Sequence, residues 1–157
     1  LLFYNDYALE KHKEKGEFCI EMLEGMLKRD VPLHGIGLQL HISLDPSDIA
    51  HLKTMIERFS SLGLRIHITE LDVRLSEPPA EEDFMKQADR YREIFEIALG
   101  TPRCEAVLSW GFTDRYSWIP NFTKGKEGHA LFFDEQYRPK PACHAISQAL
   151  KTGARHT

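Results

Sequence analysis

Hydrophobic positions recur along the chain with two alternating periods, one typical of strands and one typical of helices. Short apolar runs predict four strands, at residues 2–5, 34–41, 66–72 and 106–110. Apolar residues spaced three and four positions apart predict the helices that follow them, at about 17–29, from an Asp45 cap to a stop at Gly63, at 81–99 and at 141–150. This order predicts right-handed βαβ units and a parallel sheet in an α/β protein.

The number of units sets the expected architecture. A (β/α)8 TIM barrel takes about 250 residues, and four units amount to half of one. No linker or low-complexity tract divides the sequence. We therefore expect residues 1–157 to be one continuous half of a larger barrel domain.

Some apolar positions also predict which face of each element is buried. In the first helix, one stripe holds Phe18, Met22 and Met26, with Cys19, Leu23 and Leu27 beside it. In the second strand, one presumed inward face holds Gly35, Gly37, Gln39 and His41, and the other face holds Ile36, Leu38 and Leu40.

Polar or aromatic side chains stand at the same end of all four predicted strands. They are Asn5 and Tyr7, then Gln39 and His41, then Glu70 and Asp72, and finally Trp110. A barrel interior normally continues with Val, Ile or Leu, and barrel active sites collect at the carboxyl ends of the strands. Four such ends in register predict a functional site.

Glu70 is the first candidate for a catalytic group, because it ends an otherwise apolar strand. The alternative is a salt bridge at the rim of the sheet. We expect His41 to reach Glu70 from the neighbouring strand. A metal held by His41, Glu70 and Asp72 is less favoured, since no paired-histidine spacing occurs, and no Gly-x-Ser-x-Gly turn indicates a serine nucleophile.

Aromatic residues are also concentrated in a polar loop between Gly111 and Gly128. They are Phe112, Tyr116, Trp118 and Phe122. Aromatic rings in such a loop favour a platform for a ring-shaped ligand such as a sugar, whereas Phe112 and Phe122 are better interpreted as anchors of the loop itself.

Composition narrows the class of partner. With 24 acidic and 20 basic residues the net charge is −4, which does not favour nucleic acid or an anionic membrane, and suits a neutral substrate. No membrane-spanning run or signal peptide is visible. Cys19, Cys104 and Cys143 show no metal-ligand spacing, and we interpret them as buried small apolar residues.

Six motifs, in order, resemble the second half of glycoside hydrolase family 10. They are NDY at 5–7, GIGLQLH at 35–41, ITELD at 68–72, WGFTD at 110–114, SW at 117–118, and LFFD at 131–134 with PKPA at 139–142. The family consists mainly of endo-1,4-β-xylanases, retaining enzymes on a (β/α)8 barrel.

The resemblance implies catalytic roles for three residues. Glu70 matches the nucleophile, which forms a covalent glycosyl-enzyme intermediate. His41 matches the histidine that hydrogen-bonds this nucleophile, and Asp72 matches the partner that orients His41. No metal or other cofactor is implied.

It also implies a substrate-binding wall. Asn5 and Gln39 would bind sugar hydroxyls, Tyr7 would line the leaving-group side, and Trp110 and Trp118 would wall the glycone subsite. The expected substrate is xylan or xylo-oligosaccharide, and the family implies a secreted or periplasmic protein.

One departure from the family matters for function. The general acid/base follows a Trp-Asp-x-x-Asn-Glu-like motif on the fourth barrel strand, and that motif does not occur here. The expectation is therefore a retaining endo-1,4-β-xylanase whose acid/base glutamate comes from an amino-terminal half, in the same polypeptide or in a second chain. The alternatives are a β-1,4-glucan-cleaving relative and a polysaccharide-binding fragment without turnover.

Overall fold

The computed structural model of the protein describes residues 1–153 and alternates strands with helices. The strands are β1 Phe3–Asp6, β2 Gly35–Leu38, β3 His41–Ile42, β4 Arg65–Val73, β5 Leu75–Ser76, β6 Cys104–Ser109 and β7 Glu127–Gly128. The α-helices are α1 Lys13–Leu27, α2 Leu52–Ser61, α3 Glu81–Leu99, α4 Ile119–Phe122 and α5 Pro141–Gly153. Two 3₁₀ helices lie at Pro46–Ile49 and Asp114–Tyr116.

The described chain forms two compact units. The first contains Leu1–His41, Asp45–Leu71 and Thr101–Leu108. The second contains Ile42–Leu44, Asp72–Gly100 and the described residues from Ser109 onward.

A parallel sheet is the centre of the first unit. Strand β2 lies between β1 and β4, with Tyr4 beside Ile36 and Ile36 beside Ile66. The sheet order is β1-β2-β4-β3, and β6 also pairs with β4. One face of β2 and β4 is fully buried, at Ile36, Leu38, Ile66 and Ile68.

Two glycines let side chains cross the other face of β2. A Cβ on Gly35 would collide with the Phe3 ring, and that ring stacks on His67 of β4 with 4.2 Å between centroids. At Gly37, a Cβ would collide with the Asn5 amide oxygen and come within 2.9 Å of Thr69 Cγ2. Side chains of β1 and β4 therefore meet across β2 only because β2 carries no side chain at these positions.

Helix α3 lies in the second unit, packs on α5 and is fixed by buried polar contacts. The Tyr91 hydroxyl donates to the carbonyl of Ala130 at 2.7 Å. The Gln87 amide donates to the carbonyls of Val73 and His129, each at 2.6 Å. Buried backbone carbonyls are costly without a donor, so these contacts hold the chain around residues 129–130 against the helix.

Several predicted elements are confirmed, and α3 has the predicted bounds, 81–99. Two predictions of continuity are wrong. The second strand breaks after Leu38, because Leu40 has a left-handed backbone (φ 60°) that no strand accommodates. The helix expected after Asp45 is divided: Asp45 accepts from the Ser47 amide at 2.8 Å and caps the 3₁₀ helix, and α2 starts separately at Leu52.

Two predictions of burial also fail. Phe18 of α1 is 71% exposed, and the buried face of this helix is formed by Gly16, Cys19, Ile20 and Leu23. Of the two adjacent stripes that the sequence predicted, the one with Cys19 and Leu23 contains buried residues, and the one with Phe18 does not. Of the three cysteines, Cys19 is buried as expected, whereas Cys104 and Cys143 are half-buried; all three are free thiols.

Candidate active site

The carboxylate of Glu70 lies near the carboxyl end of β4 and contacts two polar side chains. Its Oε1 accepts a hydrogen bond from Asn5 Nδ2 at 3.0 Å, and its Oε2 lies 3.1 Å from His41 Nε2. An ionised carboxylate only accepts, so its contact with the imidazole requires the proton on Nε2. The side chain is 16% exposed, so these donors hold it near the surface rather than in the core.

Asn5 is oriented by a second residue of β4. Its Oδ1 accepts from the Thr69 hydroxyl at 2.8 Å, which leaves the Nδ2 end of the amide directed at Glu70. Gly37 provides the space for this contact across β2. One side chain of β1 is thus shared by two adjacent residues of β4.

The contacts of Asn5 depart from the regular alternation of strand side chains. Thr69 and Glu70 are neighbours, and a regular strand would direct them to opposite faces, yet both contact Asn5. The paired part of β2 ends with Leu38 beside Ile68. Glu70 stands two residues beyond this pair, where its long side chain reaches over the end of the shorter strand.

His41 reaches Glu70 as expected, but by an irregular connection. Leu40, just before it, takes the left-handed backbone conformation. Both backbone groups of Gln39 make hydrogen bonds. The Gln39 amide donates to the carbonyl of Asp6, and the Gln39 carbonyl accepts from the Glu70 amide, both at 3.1 Å. Gln39 therefore contacts Glu70 through its backbone.

Asp72 and Trp118 form a contact in the second unit. The indole Nε1 of Trp118 donates to Asp72 Oδ2 at 3.0 Å, and Asp72 is fully buried. Trp118 also packs on a small buried cluster of Ile119, Ala130 and Leu131. The contact with Asp72 fixes the direction of the indole ring.

The loop that carries Trp118 is anchored by a buried ion pair. Lys140 Nζ lies 2.9 Å from Asp114 Oδ2 and also donates to the carbonyl of His129 at 2.6 Å. The other oxygen of Asp114 accepts from the Leu131 amide at 2.8 Å. Burial lowers the pKa of Lys140, and the charge of Asp114 opposes this effect.

The two remaining predicted residues are largely exposed. Tyr7 is 60% exposed, and Lys15 Nζ lies 3.7 Å from the centre of its ring. Lys15 also pairs with Asp6 at 2.9 Å, and its hydrogen bond keeps the pKa of Asp6 below its usual range although burial of that carboxyl acts the other way. Trp110 follows β6 and is 52% exposed.

The structure thus brings Asn5, His41 and Glu70 together directly and Gln39 through its backbone. Sequence reasoning missed Thr69, which orients Asn5, and it assigned Asn5 to sugar hydroxyls without its contact to Glu70. In a regular strand, Thr69 would lie on the face away from Glu70. The spacing of Gly35 and Gly37 was the available indication that β1 and β4 meet across β2.

Within residues 1–153, no three His, Cys, Asp or Glu side chains are grouped so as to hold a metal ion. Over the same residues, no helix combines the length and the apolar character needed to cross a membrane.

The chain resembles known proteins along nearly its whole length. The family model described as glycosyl hydrolase family 10 matches residues 1–149. The endo-1,4-beta-xylanase B of Thermotoga neapolitana is 43% identical over 152 residues, a match that covers 96% of this chain and 44% of that protein.

Solved structures give the same result. The native xylanase 10B of Thermotoga maritima superposes with a TM-score of 0.94 at 42% identity, covering 99% of this chain and 48% of that one. Xylanase 10B of Thermotoga petrophila RKU-1, solved in complex with xylobiose, superposes with a TM-score of 0.91 at 43% identity, covering 96% and 46%. The chain thus spans slightly less than half of each of these relatives.

Proposed function

The chain belongs to glycosyl hydrolase family 10, and we propose that it carries the nucleophile of a retaining endo-1,4-β-xylanase. Membership confirms the resemblance and the (β/α)8 class that the motifs predicted, with this chain corresponding to the carboxyl-terminal half. The observation that carries the proposal is the Glu70 carboxylate, held by Asn5 and His41 near the end of β4.

Glu70 is the proposed nucleophile. A retaining glycosidase needs an ionised carboxylate that attacks the anomeric carbon and forms a covalent glycosyl-enzyme, which water then hydrolyses. The donors on both oxygens of Glu70 fix its direction. Each oxygen keeps a second lone pair, so the carboxylate remains able to attack.

His41 is proposed to position Glu70 by its hydrogen bond, and Asp72 to orient His41. Fixing the carboxylate before the sugar arrives lowers the cost of organising the site during the reaction. Asp72 also accepts from Trp118.

The general acid/base is proposed to come from an amino-terminal half of the barrel. Retention requires a second carboxyl group about 5–5.5 Å from the nucleophile, which first protonates the leaving oxygen and then deprotonates water. The family's Trp-Asp-x-x-Asn-Glu-like motif does not occur in this sequence. The matched relatives are about twice as long, which supports a contribution from the other half.

Xylan or xylo-oligosaccharide is the proposed substrate. The xylobiose complex of a relative supports this assignment, as does the proposed wall of Asn5, Tyr7, Gln39, Trp110 and Trp118. Indole rings suit the C–H faces of sugar rings, and the amides suit their hydroxyls. Because xylan is an extracellular polymer, we propose a secreted or periplasmic protein.

The proposal is tested by replacing Glu70 in the complete protein that carries this sequence. Glu70→Ala should lower kcat on xylan by at least about 10⁴-fold and leave substrate binding within a few-fold, because the lost contribution belongs to the transition state. Glu105→Ala is the matched control, since Glu105 is an exposed carboxylate of the same unit whose partner is Arg65. Activity of Glu70→Ala within tenfold of the parent protein would refute the assignment.

The same assay separates the alternatives. Parallel measurements on β-1,4-glucan identify a glucan-cleaving relative if that polymer is hydrolysed faster than xylan. Binding of either polymer without hydrolysis by the complete protein would identify a binding module.

A further inference from the structure

Lys15 of α1 makes three contacts at the end of β1, and the proposed reaction assigns no role to this residue. Its Nζ donates to the carbonyl of Tyr7 at 2.6 Å, pairs with Asp6 Oδ1 at 2.9 Å and lies 3.7 Å from the centre of the Tyr7 ring. Lys15 stands in the first turn of the helix, where the positive end of the helix dipole disfavours a cation. The stability of the helix therefore does not explain a lysine at this position.

Asp6, the partner of Lys15, holds the other backbone group of Tyr7. Its Oδ1 accepts from the Tyr7 amide at 2.8 Å, and its Oδ2 accepts from the Tyr4 hydroxyl at 2.9 Å. The ion pair thus binds the backbone of Tyr7 on both sides, and its ammonium group covers one face of the ring. The next residue, Ala8, has a left-handed backbone (φ 55°), a conformation that an alanine keeps only where surrounding contacts determine it.

Tyr7 is 60% exposed, so little packing holds its ring in one orientation. A mobile ring must be ordered when a ligand stacks on it, and the loss of side-chain freedom weakens binding. A ring that already rests on an ammonium group has lost this freedom before the ligand arrives. Its second face stays available to a sugar ring.

We propose that Lys15 is a positioning residue for the leaving-group side of the site, where it holds the Tyr7 ring ready for the sugar chain that departs. This role rests on the proposed function, since Tyr7 lines that side only in a xylan-cleaving site. The contact between the ammonium group and the ring does not depend on that assignment. Because Lys15 acts through Tyr7, it should matter for substrates whose leaving group is a sugar.

The contact itself is tested without any reaction, by NMR on the complete protein that carries this sequence. Protons that lie over an aromatic ring are shielded, so the ε-methylene protons of Lys15 should resonate upfield of those of Lys13, an exposed lysine of the same helix. The two signals are identified by their absence from Lys15→Met and Lys13→Met. Tyr7→Leu should abolish the upfield shift, and a Lys15 signal at the position of the Lys13 signal in the parent overturns the proposal.

The role in catalysis is tested by comparing two leaving groups on one variant. Lys15→Met keeps an unbranched side chain and removes the charge, so we expect kcat/KM for xylotetraose to fall by about fivefold, since the ring is then ordered only on binding. With β-xylobiosyl fluoride, whose leaving group is too small to stack on Tyr7, the fall should stay within about twofold. Lys15→Arg, which keeps the charge, should recover most of the rate on xylotetraose, and Lys13→Met is the matched control.

The ratio of the two rates separates positioning from a purely structural role. A loss of folded protein would lower both rates equally, so equal losses on the two substrates, or no loss on either, overturn the proposal and leave the proposed function intact. A parent protein that hydrolyses neither substrate rejects the proposed function, and the role of Lys15 in catalysis falls with it. The upfield Lys15 signal would then still establish the contact with Tyr7.

Discussion

Glu70 owes its proposed chemistry to two short side chains that belong to other strands. Asn5 and His41 each supply one donor, and Thr69 fixes the orientation of the Asn5 amide. Preorganised donors keep a carboxylate correctly directed without reorganisation during the reaction. From these hydrogen bonds we can predict how replacement of a donor residue should affect catalysis.

Replacing His41 should affect turnover more than binding. In His41→Ala, Glu70 loses the donor on Oε2 and part of its orientation, so we expect kcat to fall by about 10²-fold while KM changes little. Steady-state kinetics on xylo-oligosaccharides measure both constants. Normal turnover combined with a lower Tm would show that His41 serves the fold only.

Glu10, a carboxyl group in the connection between β1 and α1 that is only 2% exposed, predicts how stability depends on pH. Burial raises its pKa in the folded protein to about 7, above the ordinary value of 4.5 that it regains on unfolding. Below about pH 4.5 both states hold the proton. Between pH 4.5 and about 7 the unfolded state ionises first, so the folded state loses up to about 3 kcal/mol of stability, and the loss is complete above that range. Thermal unfolding from pH 4 to 8 should show this fall in the parent and a smaller one in Glu10→Gln. Parallel curves for the two proteins would contradict it.

The loop bearing Trp118 depends on α5 for its position. Lys140 stands just before that helix and pairs with Asp114, which begins the second 3₁₀ helix and binds the Leu131 amide. Both side chains are almost fully buried, so removal of one leaves an uncompensated charge. Buried pairs of this kind make local structure sensitive to single substitutions.

Lys140→Met should therefore lower the free energy of unfolding by about 3–5 kcal/mol. The double variant Lys140→Met with Asp114→Asn should recover part of this loss, because no charge is then left unpaired. Lys151→Met, on the exposed side of α5, is the matched control and should change stability by less than about 0.5 kcal/mol. Chemical denaturation measures all three, and equal losses for Lys140→Met and Lys151→Met would refute the role of the pair.

The spacing of apolar residues predicted helices and strands correctly wherever a segment kept a single period throughout. Helix α3 has both predicted ends, because its apolar positions keep the helical period for five turns. The break between β2 and β3 was not predictable, since Leu40 adopts a left-handed backbone that sequences usually mark with Gly or Asn. The Asn5 contacts depend on the register of three strands, which no single strand encodes.

At the scale of the whole molecule, the chain spans 44% of the Thermotoga neapolitana xylanase and 48% of the Thermotoga maritima one. Strand β1 ends the described sheet, and Leu1 and Leu2, which precede it, are exposed. An unpaired strand edge flanked by apolar side chains favours association with another chain.

We therefore expect the 157-residue chain, produced alone, to self-associate or aggregate. An added amino-terminal half should bind it, restore xylan hydrolysis, and place a glutamate about 5–5.5 Å from Glu70. Light scattering with and without the amino-terminal half measures the self-association of the lone chain. If the lone chain were a monomer that unfolds cooperatively, the expectation of self-association would be wrong.

Covalent trapping of Glu70 is the most direct measurement. The complete protein is incubated with a 2-deoxy-2-fluoro-xylobioside that carries a dinitrophenolate leaving group, which departs without acid assistance while a Glu70 oxygen bonds to the anomeric carbon. Retention through a glycosyl-enzyme predicts a mass increase of one fluoroxylobiosyl group, located by peptide sequencing on Glu70 and absent from Glu70→Ala. A label on another residue, or complete hydrolysis with no trapped intermediate, would contradict the assignment of Glu70 as the nucleophile.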